Sequence, residues 1–331
     1  MAVAVAQRRS IVPSDAIQRV LAFGALIALF VIFSLASPNF LQFDNMIGIL
    51  LATSVNGVLA LGVTFVIITG GIDLSVGTVM TLSAVMTGVF ITNWHVPLGI
   101  GILAGLTTGG LAGLVSGTVI ARMGIPPFIA TLGMLNIAKG LALVISGLKP
   151  IYFNDTPEFN RLAMGSLVTF GEGTVLAVPN AVFVLFGAAI VASLILSRTV
   201  LGRYAFALGS NEEATRLSGV NVARWKIAIY TLAGVFSGLA GVLIAARLNS
   251  AQPALGQGYE LDAIAAAVIG GTSLSGGEGS ILGTVIGAFI ISTLTNGLRI
   301  MSVPQEWQTV VTGGIVILAV YLDIVRRRRA G

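Results

Sequence analysis

Apolar runs recur along nearly the whole chain, separated by short polar stretches. Crossing ~30 Å of hydrocarbon as a helix takes about 20 apolar residues, and about ten runs approach that length. They lie at 17–36, 46–69, 74–93, 97–121, 126–146, 180–198, 225–247, 259–272, 280–300 and 306–324. The pattern predicts an all-α integral membrane protein of about ten transmembrane helices, with 1–331 as a single transmembrane domain. The run at 259–272 is the shortest and begins with Glu260 and Asp262. Counting it makes the number even, which puts both termini on one side of the membrane.

Two polar stretches are longer than the rest. The first, 197–226, reads SRTVLGRYAFALGSNEEATRLSGVNVARWK, with Arg198, Arg203, Arg216, Arg224 and Lys226 around Glu212 and Glu213. Charge of that density must sit in water. The second, 147–179, mixes turn formers with alternating polarity and predicts a small ordered cap with a short helix near 157–162. A solvated loop and a docking surface for an external partner both remain open for it.

Composition agrees with lipid as the main solvent. The chain of 331 residues is 56% hydrophobic and 9% charged, where a soluble domain carries about a quarter charged residues. Its mean hydropathy is +0.98. The 42 glycines suit close helix packing in a bilayer. The absence of cysteine excludes disulfides, thiolate chemistry and Cys-ligated metals.

The net charge of +5 follows topology and gives no reason to expect nucleic acid. With the N-terminus inside, the inner segments hold Arg8, Arg9, Arg19, Arg122, the basic residues of 197–226, and Arg326, Arg327, Arg328 and Arg329. The outer segments hold Asp44, Asp155, Glu158, Glu172 and Glu306, with Lys149 and Arg161 as loop cations. The bias predicts cytoplasmic termini, a cytoplasmic loop at 199–224 and an outer loop at 147–179. Trp94 and Trp307 fall at predicted outer interfaces and Trp225 at an inner one. Ser34-Leu35-Ala36 could end a signal peptide, but the long polar lead with Pro13 and Asp15 favours a retained first span. Arg8-Arg9 then reads as inside charge.

One motif occurs twice. Gly70-Gly71-Ile72-Asp73-Leu74-Ser75-Val76-Gly77 returns as Gly270-Gly271-Thr272-Ser273-Leu274-Ser275-Gly276-Gly277, with five of eight positions matching at a spacing of 200. An internal repeat of spans one to four and seven to ten is one reading; chance in a glycine-rich chain is the other. Each copy reads as a tight turn back into the membrane, with Gly-Gly for close backbone approach and Ser75 or Ser275 to cap the next helix. Asp73 either caps that helix or lines a transport path, since ionisable groups at membrane depth are usually functional.

Asn56, Asn136, Lys139 and Asn296 also fall within or near spans. Asn136 and Lys139, three apart, share a helical face. They form either a polar stripe along a path or ordinary interhelical and snorkelling contacts. His95, the lone histidine, reads as an interface residue and cannot make a metal site or triad unaided.

Catalytic signatures are missing. There is no G-x-x-x-x-G-K-[ST] phosphate loop, and the dipeptide Gly-Lys does not occur. H-E-x-x-H and G-x-S-x-G are absent too. The chain is therefore not expected to hydrolyse ATP or act as an enzyme. In the long charged loop, Asn211 is placed to cap a short helix opened by Glu212, Glu213 and Ala214. Glu212 and Arg216 pair at i, i+4, Gly219 ends the helix, and Asn221 caps the next. A short rigid helix tethered at both ends transmits displacement better than a floppy loop.

Four segments carry a family resemblance: GGIDLSVGTVMTLSAV (70–85), GIPPFIATLGMLNIAKGLALVISG (124–147), NEEATRLSGVNVARWK (211–226) and AARLNSAQPALGQGYELDAIAAAVIGGTSLSGGEGSILGTVIGA (245–288). Together the chain resembles, from about residue 17 to 324, the permease subunits of bacterial ABC importers for ribose, xylose, arabinose and galactose. The resemblance implies a multi-pass protein of the bacterial inner membrane, with two permease copies or related chains forming a pathway at their interface. It also implies ATPase subunits on the cytoplasmic side, which bind the ATP and magnesium, and a periplasmic sugar-binding protein outside. No cofactor is expected in this chain. A coupling helix gripped by the ATPase would correspond to 211–221, with Asn211, Glu212, Glu213, Arg216, Ser218 and Gly219 as its residues. Lys139 stands where the resemblance leads one to expect arginine, which keeps the charge and changes the hydrogen-bond geometry. A permease for another small solute, such as a branched amino acid or nucleoside, and a stand-alone secondary transporter are the rival readings.

Overall fold

A computed structural model describes residues 14–170 and 176–330. Arg8, Arg9 and Glu172 of the charge pattern lie outside them. In chain order the elements are α1 (Ser14–Ala36), α2 (Phe43–Ile68) and α3 (Val76–Gly88), the last prolonged by a π-helical turn over Val89–Asn93. There follow α4 (Leu98–Met123), α5 (Pro127–Ile145), β1 (Ile151–Tyr152), α6 (Pro157–Met164), β2 (Ser166–Phe170) and β3 (Leu176–Pro179). The second half comprises α7 (Asn180–Arg198), α8 (Val200–Ser210), α9 (Glu212–Leu217), α10 (Val222–Leu248), β4 (Ser250–Ala251), α11 (Tyr259–Ile269), α12 (Ile281–Ile300) and α13 (Gln305–Ala330).

Among the described residues seven helical segments are long and apolar enough to cross a membrane: α2, α3 with its π turn, α4, α5, α7, α10 and α12. This is a multi-pass membrane protein. The predicted span at 259–272 is corrected. Its helix, α11, has 11 residues, about 16 Å at 1.5 Å per residue, roughly half a bilayer. Ahead of it, 252–258 is irregular. The fold is mostly helical, as the all-α reading expects, with two small antiparallel sheets of short strands besides. β1 pairs with β4 (Ile151 opposite Ala251), and β2 pairs with β3.

The bundle is organised around α2, buried almost throughout from Leu51 to Ile68. It packs on α10, α12, α11 and α7. Thr64 Oγ1 lies 2.7 Å from Thr284 Oγ1, a buried α2–α12 hydrogen bond. Thr284 also donates to the Ser280 carbonyl, so losing Thr64 leaves it a partner. Thr64→Val is therefore expected to cost only about 0.6 kcal/mol. A thermal melt in detergent checks this, expecting a shift small beside those of the variants in the Discussion.

The tightest helix pair is α4 with α10. Gly109 of α4 rests against the Gly234 carbonyl of α10, and Gly113 against that of Tyr230. A Cβ at Gly238 would fall 2.9 Å from Leu106 Cα. Small residues every four positions let the two backbones touch, and dispersion across that contact replaces the hydrophobic drive that lipid cannot supply.

The two ends of the bundle differ. One carries 147–170 and 176–179, whose short helix α6 matches the predicted position. Phe153 and Phe159 are buried there, with ring centroids 4.2 Å apart. Asn160 Nδ2 donates to the Ala246 carbonyl at 2.8 Å, fixing this cap to the end of α10. At the opposite end, reached through α7, lie α8, α9 and the turns between helices.

Candidate functional site

Local chemistry builds α9 as the sequence predicts. Asn211 Oδ1 accepts from the Ala214 amide at 2.9 Å. Gly219 adopts φ +83°, left-handed backbone that only glycine takes without strain, and the helix stops there. Asn221 Oδ1 accepts from the Arg224 amide at 3.0 Å and caps α10. Glu212 holds two cations, with Oε1 at 3.1 Å from Arg216 Nη2 and Oε2 at 2.7 Å from Lys226 Nζ. Its side chain is 37% exposed, so the Lys226 pair orients α9 against α10 more than it stabilises the fold, and the Arg216 pair lies within α9 itself. Thr215 is buried and donates to the Ala207 carbonyl of α8 at 3.0 Å. Ser218 Oγ donates to the Ala214 carbonyl at 2.9 Å.

The far side of α9 is bare. Glu213 is exposed and Leu217 is 81% exposed. These residues are four apart and so share a face. Leu217 was not singled out in the sequence, although a leucine beside charged residues in a short loop helix is the available signal. A cleft of about 590 Å³ lies between α9 and the α4–α5 turn, with Gly124, Pro126, Arg216 and Val220 on its walls.

Behind α9 the two Gly-Gly turns meet. The Gly277 amide donates to the Ile68 carbonyl at 2.8 Å. Gly209, near the end of α8, is wedged against that carbonyl and the Gly277 amide, and no Cβ fits there. A Cβ at Gly276 would lie 2.9 Å from both Gly209 Cα and the Gly70 amide. Three backbone segments, 68–71, 209–210 and 276–277, thus form one junction next to the α9 cap.

The paired motifs differ in detail. Gly70 is left-handed (φ +76°) with Gly71 ordinary, whereas in the second copy Gly271 is left-handed (φ +100°) and Gly270 ordinary. Ser75 occupies the N-cap position of α3 without accepting a capping bond. Its hydroxyl and amide instead donate to Asp73 Oδ1 at 2.6 and 2.8 Å. Ser275 starts no helix, since α12 begins at Ile281 with Ser280 as its cap. The expected capping by Ser75 and Ser275 is therefore corrected. Asp73 is 3% exposed and lies outside the two flanking spans. Burial pushes its carboxyl up from the usual carboxylate range, and the bonds from Ser75 pull it back.

At mid-depth, Asn136 is exposed on α5 and donates to the Leu132 carbonyl at 3.0 Å. Lys139 Nζ donates to Gln257 Oε1 at 3.2 Å. Asn56 and Asn296 are partly buried, with amide oxygens that lack a partner. Among the described residues no three His, Cys, Asp or Glu side chains cluster as metal ligands would.

Seven membrane-crossing helical segments among the described residues, with a short capped helix at one end, make this a multi-pass membrane protein. The family model described as "Branched-chain amino acid transport system / permease component" matches residues 45–320, and the chain belongs to that family. The ribose import permease protein of Escherichia coli K12 is 43% identical over 299 residues, covering 90% of this chain and 91% of that protein. Its counterpart in Bacillus subtilis is 41% identical over 301 residues, 91% of each chain. The L-arabinose transport system permease protein of E. coli K12 is 39% identical over 309 residues, 92% and 91% of the two chains. No solved structure matches the chain.

Proposed function

We propose that this chain is the transmembrane permease subunit of an ABC importer that brings a monosaccharide into the bacterial cytoplasm. The observation that carries the reading is α9, a capped helix pinned through Glu212 and Thr215 with one face left bare. Support for the sugar class comes from ribose and arabinose permeases about as long as this chain. The family model's own description names branched-chain amino acids, so that solute class is the second reading.

In this reading α9 and both termini face the cytoplasm, as the positive-inside bias favours. ATP and magnesium belong to the partner ATPase, since this chain has no phosphate loop. The ATPase grips Asn211, Glu212, Glu213, Arg216, Ser218 and Gly219. The 147–179 cap faces the periplasm and receives the sugar-binding protein. A second copy, or a related chain, completes the path beside α5. Asn136 and Lys139 are the path candidates whose position supports that role. Asp73, closed into a turn with Ser75, and the partly buried Asn56 fit structural roles better.

Displacement of α9 reaches α10 through Glu212–Lys226 and α8 through Thr215. From α8 it passes to the turns ending α2 and α11 through Gly209. Those turns aim the helices that follow, so a small push at one end can change how α3 and α12 stand.

The test is reconstitution in vesicles with a panel of pentoses, hexoses and branched amino acids. Uptake is expected only with the ATPase, the binding protein and ATP together, and only for sugars. Uptake by the chain alone under an ion gradient would overturn the ABC reading. Uptake of amino acids in place of sugars would select the second class.

A further inference from the structure

We infer that Gln257 and Lys139, brought together from elements 118 residues apart, form a polar contact point of the translocation path for a hydroxyl-bearing substrate. Gln257 is the positioning residue that holds the lysine amine. This rests on the permease reading above and adds to it a residue and a place in the bilayer.

Depth is the first argument. Gly256 packs into α3 against Gly77 and Thr81, and Lys139 lies past the middle of α5. The irregular stretch 252–258 therefore runs at membrane depth. Non-helical backbone there is tolerated only where protein buries it or water bathes it. Yet Ala254 and Gln257 are both exposed on this chain. Lipid cannot be what they face, so a water-filled path or a second copy lies against them. Substrate sites of membrane transporters form where helices are interrupted in this way.

Charge is the second argument. Lys139 is only partly buried and has no carboxylate within ion-pair distance among the described residues. Gln257 Oε1 accepts a hydrogen bond from one of the lysine's three N–H donors. The other donors need water or a ligand's oxygens. An amine held by a neutral amide stays available to a sugar hydroxyl, whereas an ion pair would occupy it. Asn136, one turn earlier on α5, adds an exposed amide oxygen.

The absence of cysteine allows a direct test. Gln257→Cys, Asn136→Cys and Ile137→Cys are made singly in the assembled transporter and exposed to a charged, membrane-impermeant thiol reagent, without nucleotide and in the ATP-trapped state. Ile137 is 55% exposed but turned about 100° further round α5. Labelling at positions 257 and 136 but not 137 is expected. No labelling at 257 in either state, or equal labelling at all three, overturns the proposal.

Uptake supplies the second readout. Gln257→Ala is expected to slow transport about tenfold, the scale of one charge-assisted hydrogen bond. Lys139→Met is expected to slow it more, and the double variant no more than Lys139→Met alone. Wild-type rates or simply additive losses count against the pair. If the wild type carries no sugar in the panel, the sugar reading fails while the labelling result still decides whether these residues face the path.

Discussion

Gly209→Val is expected to abolish ATP-driven uptake while the chain still inserts in the membrane. A side chain at 209 collides with the Ile68 carbonyl and the Gly277 amide. Both are backbone, so neither can step aside as a flexible side chain does. Overpacking of this kind costs roughly 1–3 kcal/mol. Relief comes by forcing the end of α8 away from the turns that end α2 and α11. The Gly277–Ile68 hydrogen bond, 2.8 Å long, opens with it. ATP hydrolysis in the partner should then continue without moving solute. Gly187→Val on α7 is the control, because nothing lies within 4 Å of its Cβ position. Equal uptake losses in the two variants would show a general helix effect and remove the junction from the mechanism. Detergent melts separate the outcomes further: a collapse of Gly209→Val below growth temperature would mean misfolding rather than uncoupling.

What the sequence reveals and hides about this molecule follows from the range of the forces involved. Membrane spans are legible because hydrocarbon demands a long apolar run, and the bounds of α7, α10 and α12 fall close to those predicted. The α9 helix and its caps are legible because the bonds that form them are local: Asn211 to Ala214, Glu212 to Arg216, Asn221 to Arg224. α11 misleads because its alanines and isoleucines are apolar enough for a span, while its length depends on how deep the chain travels before helix begins. The β1–β4 strands have two residues each and no readable period. Ser275 looks like a cap, but 276 and 277 are held in the turn by the Ser273 and Ile68 carbonyls, which postpones the helix to Ser280. Gly209 and Gln257 were missed for the same reason. Their partners lie far away in the chain, and nothing in the residues beside them announces the meeting.

The bare face of α9 leads to the other large expected effect. Leu217 is 81% exposed and has almost nothing to lose inside this chain. An apolar side chain held out on a rigid tethered helix is an inexpensive anchor, since its backbone is ordered before any partner arrives. Binding energy concentrates on a few such buried anchors once the partner closes over them. Leu217→Asp is therefore expected to leave the melting temperature of the isolated permease unchanged. It should weaken capture of the ATPase at least about tenfold and abolish uptake. Glu213→Arg, one turn earlier on the same exposed face, should abolish uptake as well, because in the proposed docking it reverses a charge turned toward the ATPase, and Glu213 forms no ion pair among the described residues. Thr215→Val gives the opposite signature. That side chain is buried and bonded to Ala207, so the variant should lower the melting temperature and weaken coupling only through a loosened α8–α9 corner. Wild-type capture and uptake in Leu217→Asp would place the ATPase grip elsewhere on this end, with the cleft beside the α4–α5 turn as the next surface to test.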